Sequence, residues 1–126
     1  MQKVWSMGVL VTVVSMGAGT GAALSESARF DGTYSLDPGS SGCVVGQGDV
    51  PGAAFRIEGG VFTGVAATCE MRNPTNIRDM DAVLFDFHCE GEGTSWRDRV
   101  MLMRMDDGSL LRVVDGLAFT DPPCRD

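Results

Sequence analysis

His88 is the single histidine of the chain, and it stands in Asp86-Phe87-His88-Cys89-Glu90. Alternate side chains of an extended strand share a face, so Asp86, His88 and Glu90 are expected to project together. Two such groups can chelate a cation, and Glu70 on a paired strand would supply a third donor, the set a small metal-dependent enzyme could use. A solvated polar face balanced by Arg72 accounts for the same residues, because a catalytic metal site normally gathers more than one histidine or a denser group of carboxylates. A Ser-His-Asp relay would need a frame such as G-x-S-x-G, and the chain has none. Asp79-Met80-Asp81 lacks the ligand series of a calcium loop, and Gly46-Gln47-Gly48 and Gly91-Glu92-Gly93 fall short of the G-x-G-x-x-G phosphate cradle. These read as an acidic surface loop and as turns. The expectation is a non-catalytic protein with no cofactor and no resident metal.

The sulfur chemistry is more specific. Cys43, Cys69, Cys89 and Cys124 are spaced by 26, 20 and 35 residues with no C-x-x-C pair, which suits two disulfides and not a small zinc module. If Cys69 faces Cys89 across an antiparallel pair, the numbers of paired residues add up to 158 throughout. Met71 then meets Phe87 on the cysteine face, where Val83 and Phe85 continue an apolar row, while Glu70 meets His88 and Arg72 meets Asp86 on the other. A sheet buried on one side requires that division. The pairing is therefore predicted as Cys69–Cys89, which leaves Cys43–Cys124.

Positioning these residues calls for short strands. Turn signals recur at Asp37-Pro38-Gly39, Gly46-Gln47-Gly48, Val50-Pro51-Gly52, Glu58-Gly59-Gly60, Asn73-Pro74, Asp107-Gly108, Asp115-Gly116 and Asp121-Pro122-Pro123. Between them lie β-prone runs at 29–36, 53–58, 61–69, 82–90, 99–105, 110–115 and 117–120. The fold class read from this spacing is all-β, an antiparallel meander forming a small barrel or sandwich. One run is ambiguous: Ser95-Trp96-Arg97-Asp98 resembles a capping box, and Trp96, Val100 and Met103 would share a helical face, so residues 95–105 read as helix or strand. As a strand, the run sets Met101, Met103 and Met105 on one face against Val100 and Leu102 on the other. It would be central in a two-layer core or offer an adaptable methionine surface to a ligand or partner. Trp96, after Gly91-Glu92-Gly93-Thr94-Ser95, is a candidate partner anchor. The candidate partner-binding residues are thus Trp96, Met101, Met103 and Met105.

Met1-Gln2-Lys3, an uncharged apolar run to Met16, and the small residues Gly17 to Ala23 form the pattern of a secretory signal, too short in its apolar part for a membrane span. The expected domains are a signal peptide at 1–23, cleaved after Ala23 with Ala22 and Ser25 as alternative sites, and a disulfide-linked β domain at 24–126. Cleavage would remove the only lysine and leave 17 acids against 9 arginines. Such a balance excludes phosphate backbones and anionic lipid as natural partners and favours a basic protein. Phe30-Asp31-Gly32-Thr33-Tyr34 resembles the opening strand of lipocalin-like barrels, and the size, acidity, export signal and disulfides resemble periplasmic lysozyme inhibitors. These resemblances imply, in turn, a carrier of a small apolar ligand with the methionine strand inside, and an acidic surface directed at a basic enzyme. The leading expectation is an exported acidic binding or inhibitor module in the periplasm or secreted, acting on a basic envelope protein, without stable membrane insertion after cleavage.

Overall fold

The computed structural model describes residues 26–124, so the expected signal peptide and its cleavage site lie outside the described residues. Nine strands follow a short helical turn at 26–28: β1 (Gly32–Ser35), β2 (Val44–Val45), β3 (Ala53–Glu58), β4 (Val61–Gly64), β5 (Ala67–Asn76), β6 (Ala82–Gly91), β7 (Thr94–Arg104), β8 (Leu110–Val114) and β9 (Leu117–Asp121). They form one sheet in the order β1-β3-β4-β5-β6-β7-β8-β9, antiparallel throughout, with β2 a two-residue parallel partner of β3. Past β9 the chain returns to β1. The Ser35 N–H donates to the Pro122 carbonyl and the Cys124 N–H to the Thr33 carbonyl, both at 2.8 Å, around a bridge from Tyr34 to Pro123. The sheet thus curls into a nearly closed barrel, as full closure removes the exposed borders of an open sheet. No helix among the described residues is long and apolar enough to cross a membrane.

Alternation along the strands fills the interior. Phe30, Phe55, Ile57, Val83, Phe85, Leu102 and Leu110 are fully buried. Rings run through the barrel in series, Tyr34 to Phe55 at 5.3 Å, Phe55 to Phe62 at 4.9 Å and Phe62 to Phe87 at 5.5 Å between centroids. The Tyr34 hydroxyl donates to the Phe30 carbonyl at 2.7 Å, and burial raises its pKa, which keeps the phenol protonated as a donor.

Several expectations need correction. The run at 61–69 is two strands, because Ala66 takes a φ of 55° and turns the chain between Gly64 and Ala67. Asn73-Pro74 is no break: β5 passes through it as a bulge, with Asn73 at φ 51° and Pro74 where a ladder donor is not needed. Residues 95–105 are not helical, because β6 pairs with them residue for residue from Ala82–Met103 to Gly91–Thr94. β7 therefore begins at Thr94, and the supposed loop ahead of Trp96 is a two-residue turn at Glu92 (φ 51°) and Gly93 (φ 79°).

Candidate binding site at the open end of the barrel

Both disulfides join the expected cysteines. Cys69–Cys89 bridges directly paired residues of β5 and β6, and Cys43–Cys124 ties the loop after β1 to the closing segment. The predicted register holds through Glu70–His88, Met71–Phe87 and Arg72–Asp86, then slips by one residue at the bulge to Thr75–Leu84.

The ion pairs on the outer face differ from simple cross-strand matching. Arg72 turns along its own strand to Glu70 at 2.7 Å, while Asp86 accepts from Asn73 Nδ2 at 2.8 Å and lies 3.6 Å from Arg99. A shallow groove of about 600 Å³ runs over Glu70, His88, Glu90 and Arg97, but among the described residues no three metal-binding side chains converge. Asp81 pairs instead with Arg29 at 3.5 Å and Asp79 with its neighbour Arg78 at 3.8 Å, so 79–81 is a loop secured by arginine.

The methionines do not line the interior. Val100 and Leu102 are buried in the core, which puts Met101 and Met103 on the outside, half-buried between Leu84 and Val113 and between Ala82 and Leu111. β7 ends at Arg104, so Met105 lies beyond it, its N–H bonded to the Ser109 carbonyl at 2.9 Å in the turn. Inward-facing Val100 and Leu102 leave Met101 and Met103 no place in the interior, so the expected inner methionine face is corrected to an outer one.

Trp96 belongs to a different feature. β8 pairs only with Val100–Arg104 of β7, so the residues from Thr94 to Arg99 pair with β6 alone and are exposed. This overhang stands above the barrel's end. Its inner face carries Trp96, opposite Cys89, and Asp98, opposite Phe87; its outer face carries Arg97 and Arg99, opposite His88 and Asp86. Below the inner face opens a cavity of about 150 Å³, lined by Phe62, Phe87 and Val114 with Trp96, Asp98 and Arg112. Leu117 is 60% and Phe119 40% exposed on the neighbouring hairpin.

Two charges face this apolar mouth, and they differ in state. Arg112 is enclosed: its guanidinium lies 4.7 Å from the ring centroids of both Phe55 and Phe119, and its Nε donates to Asp121 at 2.6 Å. Asp98 accepts from Trp96 Nε1 at 3.2 Å, and among the described residues it has no ion pair. The mouth therefore presents one carboxylate without a counter-charge beside aromatic and aliphatic walls. Sequence reasoning singled out Trp96 but not Asp98, Arg112 or Phe62. Period-2 alternation groups Trp96 with Asp98, and only the relative lengths of the β6–β7 and β8–β9 hairpins reveal that this face is open.

Compared with protein-family models, with curated proteins and with solved structures, the chain matches none.

Proposed function

We propose that the protein is an acidic, non-catalytic binding module of an oxidising extracytoplasmic compartment, which holds a basic partner protein by taking one lysine or arginine side chain into the mouth of the barrel. The observation that carries this reading is Asp98, which has no ion pair among the described residues and lies at the rim of a mostly apolar cavity the size of one side chain. A long cationic side chain has the matching chemistry: an aliphatic stem that packs on apolar walls and a charged head that seeks a carboxylate. Trp96 beside Asp98 adds an aromatic ring to which a cation is attracted. The formal charge of -7 works in the same direction at long range, drawing a basic partner and weakening with salt. Two disulfides are compatible with such a compartment.

Carriage of a small apolar ligand is supported less well. About 150 Å³ is half of the ~300 Å³ at which small-molecule sites begin. Titration against a panel of basic envelope proteins at two salt concentrations tests the proposal. Affinity should fall as salt rises, and Asp98→Asn should weaken binding by about 10- to 100-fold, the worth of one charge-assisted hydrogen bond. Equal binding by wild type and Asp98→Asn, or a lipid extracted from the purified protein and held independently of salt, would defeat it.

A further inference from the structure

The overhang of β7 is a sheet border with alternate backbone N–H and C=O groups directed away from β6, and among the described residues no strand other than β6 pairs with it from Thr94 to Arg99. Proteins usually blunt such a border or use it as a template for another strand. Here it runs directly over the mouth, so a backbone laid along it would deliver every second side chain to the cavity.

We infer that the partner segment enters extended and adds to the sheet as a strand antiparallel to β7 over Thr94–Arg99, with its basic anchor opposite Asp98 and acidic side chains opposite Arg97 and Arg99. The inference deepens the anchor reading above and rests on it. The direction follows from the line of β8, which the new strand would continue beyond Val114, and from the greater strength of antiparallel pairing. The charge pattern follows from the two faces. Arg97 and Arg99 leave the outer face two residues apart; Arg99 shares Asp86 at 3.6 Å, and Arg97 has no ion pair among the described residues. On the inner face the residues to be matched are Trp96 and Asp98. The complementary segment thus reads acidic, basic, acidic, apolar from the position facing Arg99 to that facing Trp96. A second copy of this edge fits less well, because two-fold pairing keeps faces together. Centred on Arg97 it sets that arginine against itself, centred on Asp98 it sets Arg97 against Arg99, and centred on Trp96 it leaves Asp98 facing Thr94.

The experiment uses three capped pentapeptides and one small amine as probes, followed by backbone amide and indole shifts of the full chain. Glu-Lys-Glu-Val-Thr carries the pattern in antiparallel order, Thr-Val-Glu-Lys-Glu reverses it, and Lys-Val-Thr-Glu-Glu, of the same composition, has no glutamate beside its lysine in any register. The first should shift amides from Thr94 to Arg99 and bind at least tenfold more tightly than either of the others, since it alone sets the lysine against Asp98 with a glutamate against each arginine and the valine against Trp96. n-Butylammonium should perturb the Trp96 indole alone. If the amine perturbs Trp96 while the three peptides bind alike, strand addition is overturned and the anchor stands. Tighter binding of the reversed peptide overturns the direction. If neither amine nor peptide shifts any signal at the mouth, both readings fall. A concentration-dependent dimer in sedimentation that protects the amides at 94–99 overturns the inference in favour of a second copy.

Discussion

Inside the barrel, Arg112 and Asp121 form an ion pair in which the two side chains are only 15% and 7% exposed, with rings of Phe55 and Phe119 at 4.7 Å on the guanidinium. Removing one member strands the other away from water. Arg112→Met should cost about 3–5 kcal/mol in chemical denaturation, and adding Asp121→Leu should recover most of the loss, because a matched apolar pair avoids the desolvation penalty. Asp31 makes a prediction about pH. Desolvation, then repulsion by Glu58, raises its pKa against a lowering hydrogen bond from the Gly59 backbone. A carboxyl whose folded pKa exceeds its unfolded value destabilises the fold when ionised, and the penalty fades as pH falls through the folded value. Asp31→Asn should therefore raise Tm at neutral pH and lose that advantage in acid. Asp37 has the opposite sign: the Ser40 side chain, then the Gly52 backbone N–H, lowers its pKa. Its contribution is present above the ordinary carboxylate range and is lost as pH falls through the depressed value, so the Gly52 amide should lose protection in strong acid. Of these roles, little was legible in Leu110-Leu111-Arg112-Val113-Val114. Arg112 alternates with Leu110 and Val114, but Leu111 and Val113 make the other face equally apolar, and no local rule says which one turns inward.

Pairs of strands were easier to read where a cross-link and a turn both constrained them. The Cys69–Cys89 register extends correctly to Arg72–Asp86, and Glu58-Gly59-Gly60-Val61 forms the expected tight hairpin, with φ of 60° and 80° at the glycines. The slip after Arg72 was hidden because Asn73-Pro74 signals a break equally well for a turn and for a bulge. The β4–β5 turn was hidden for another reason: Val65-Ala66 contains none of the residues that favour positive φ, and Ala66 adopts it under constraint of the flanking strands. The same chemistry gives a prediction for β6–β7. Glu92 occupies the first position of a turn whose two central residues both have positive φ, where Asn is far better tolerated. Glu92→Asn should stabilise the chain by up to about 1 kcal/mol, read as a small rise in Tm without loss of the strand signal. Gly91, by contrast, has no room for change, since a Cβ there would come within 2.0 Å of the Ala66 carbonyl oxygen.

Taken together, the strands make a barrel whose closure depends on its last residues. Chain-entropy arguments assign about 4.5 kcal/mol to Cys43–Cys124, at a sequence separation of 81, and about 3 kcal/mol to Cys69–Cys89, at a separation of 20. Cys43→Ser with Cys124→Ser should accordingly lower the denaturation midpoint more than Cys69→Ser with Cys89→Ser, in spite of the second bridge's buried position. The all-β meander could be read from spacing and both sulfur pairings from register, while the choice of barrel over sandwich and the open mouth could not, the mouth because it exists only as the difference in length between two hairpins that sit side by side. The longer bridge also decides how the molecule answers a mechanical load. Pulled between Glu26 and Cys124, the oxidised chain transmits tension through the sulfurs and can be drawn out by only ~60 Å, at ~3.5 Å per residue, before the line is taut. With that bridge reduced and the other also open, the same pull could extend the chain by ~340 Å. In its oxidised form, then, nearly all of the barrel is shielded from any machine that hauls on its ends.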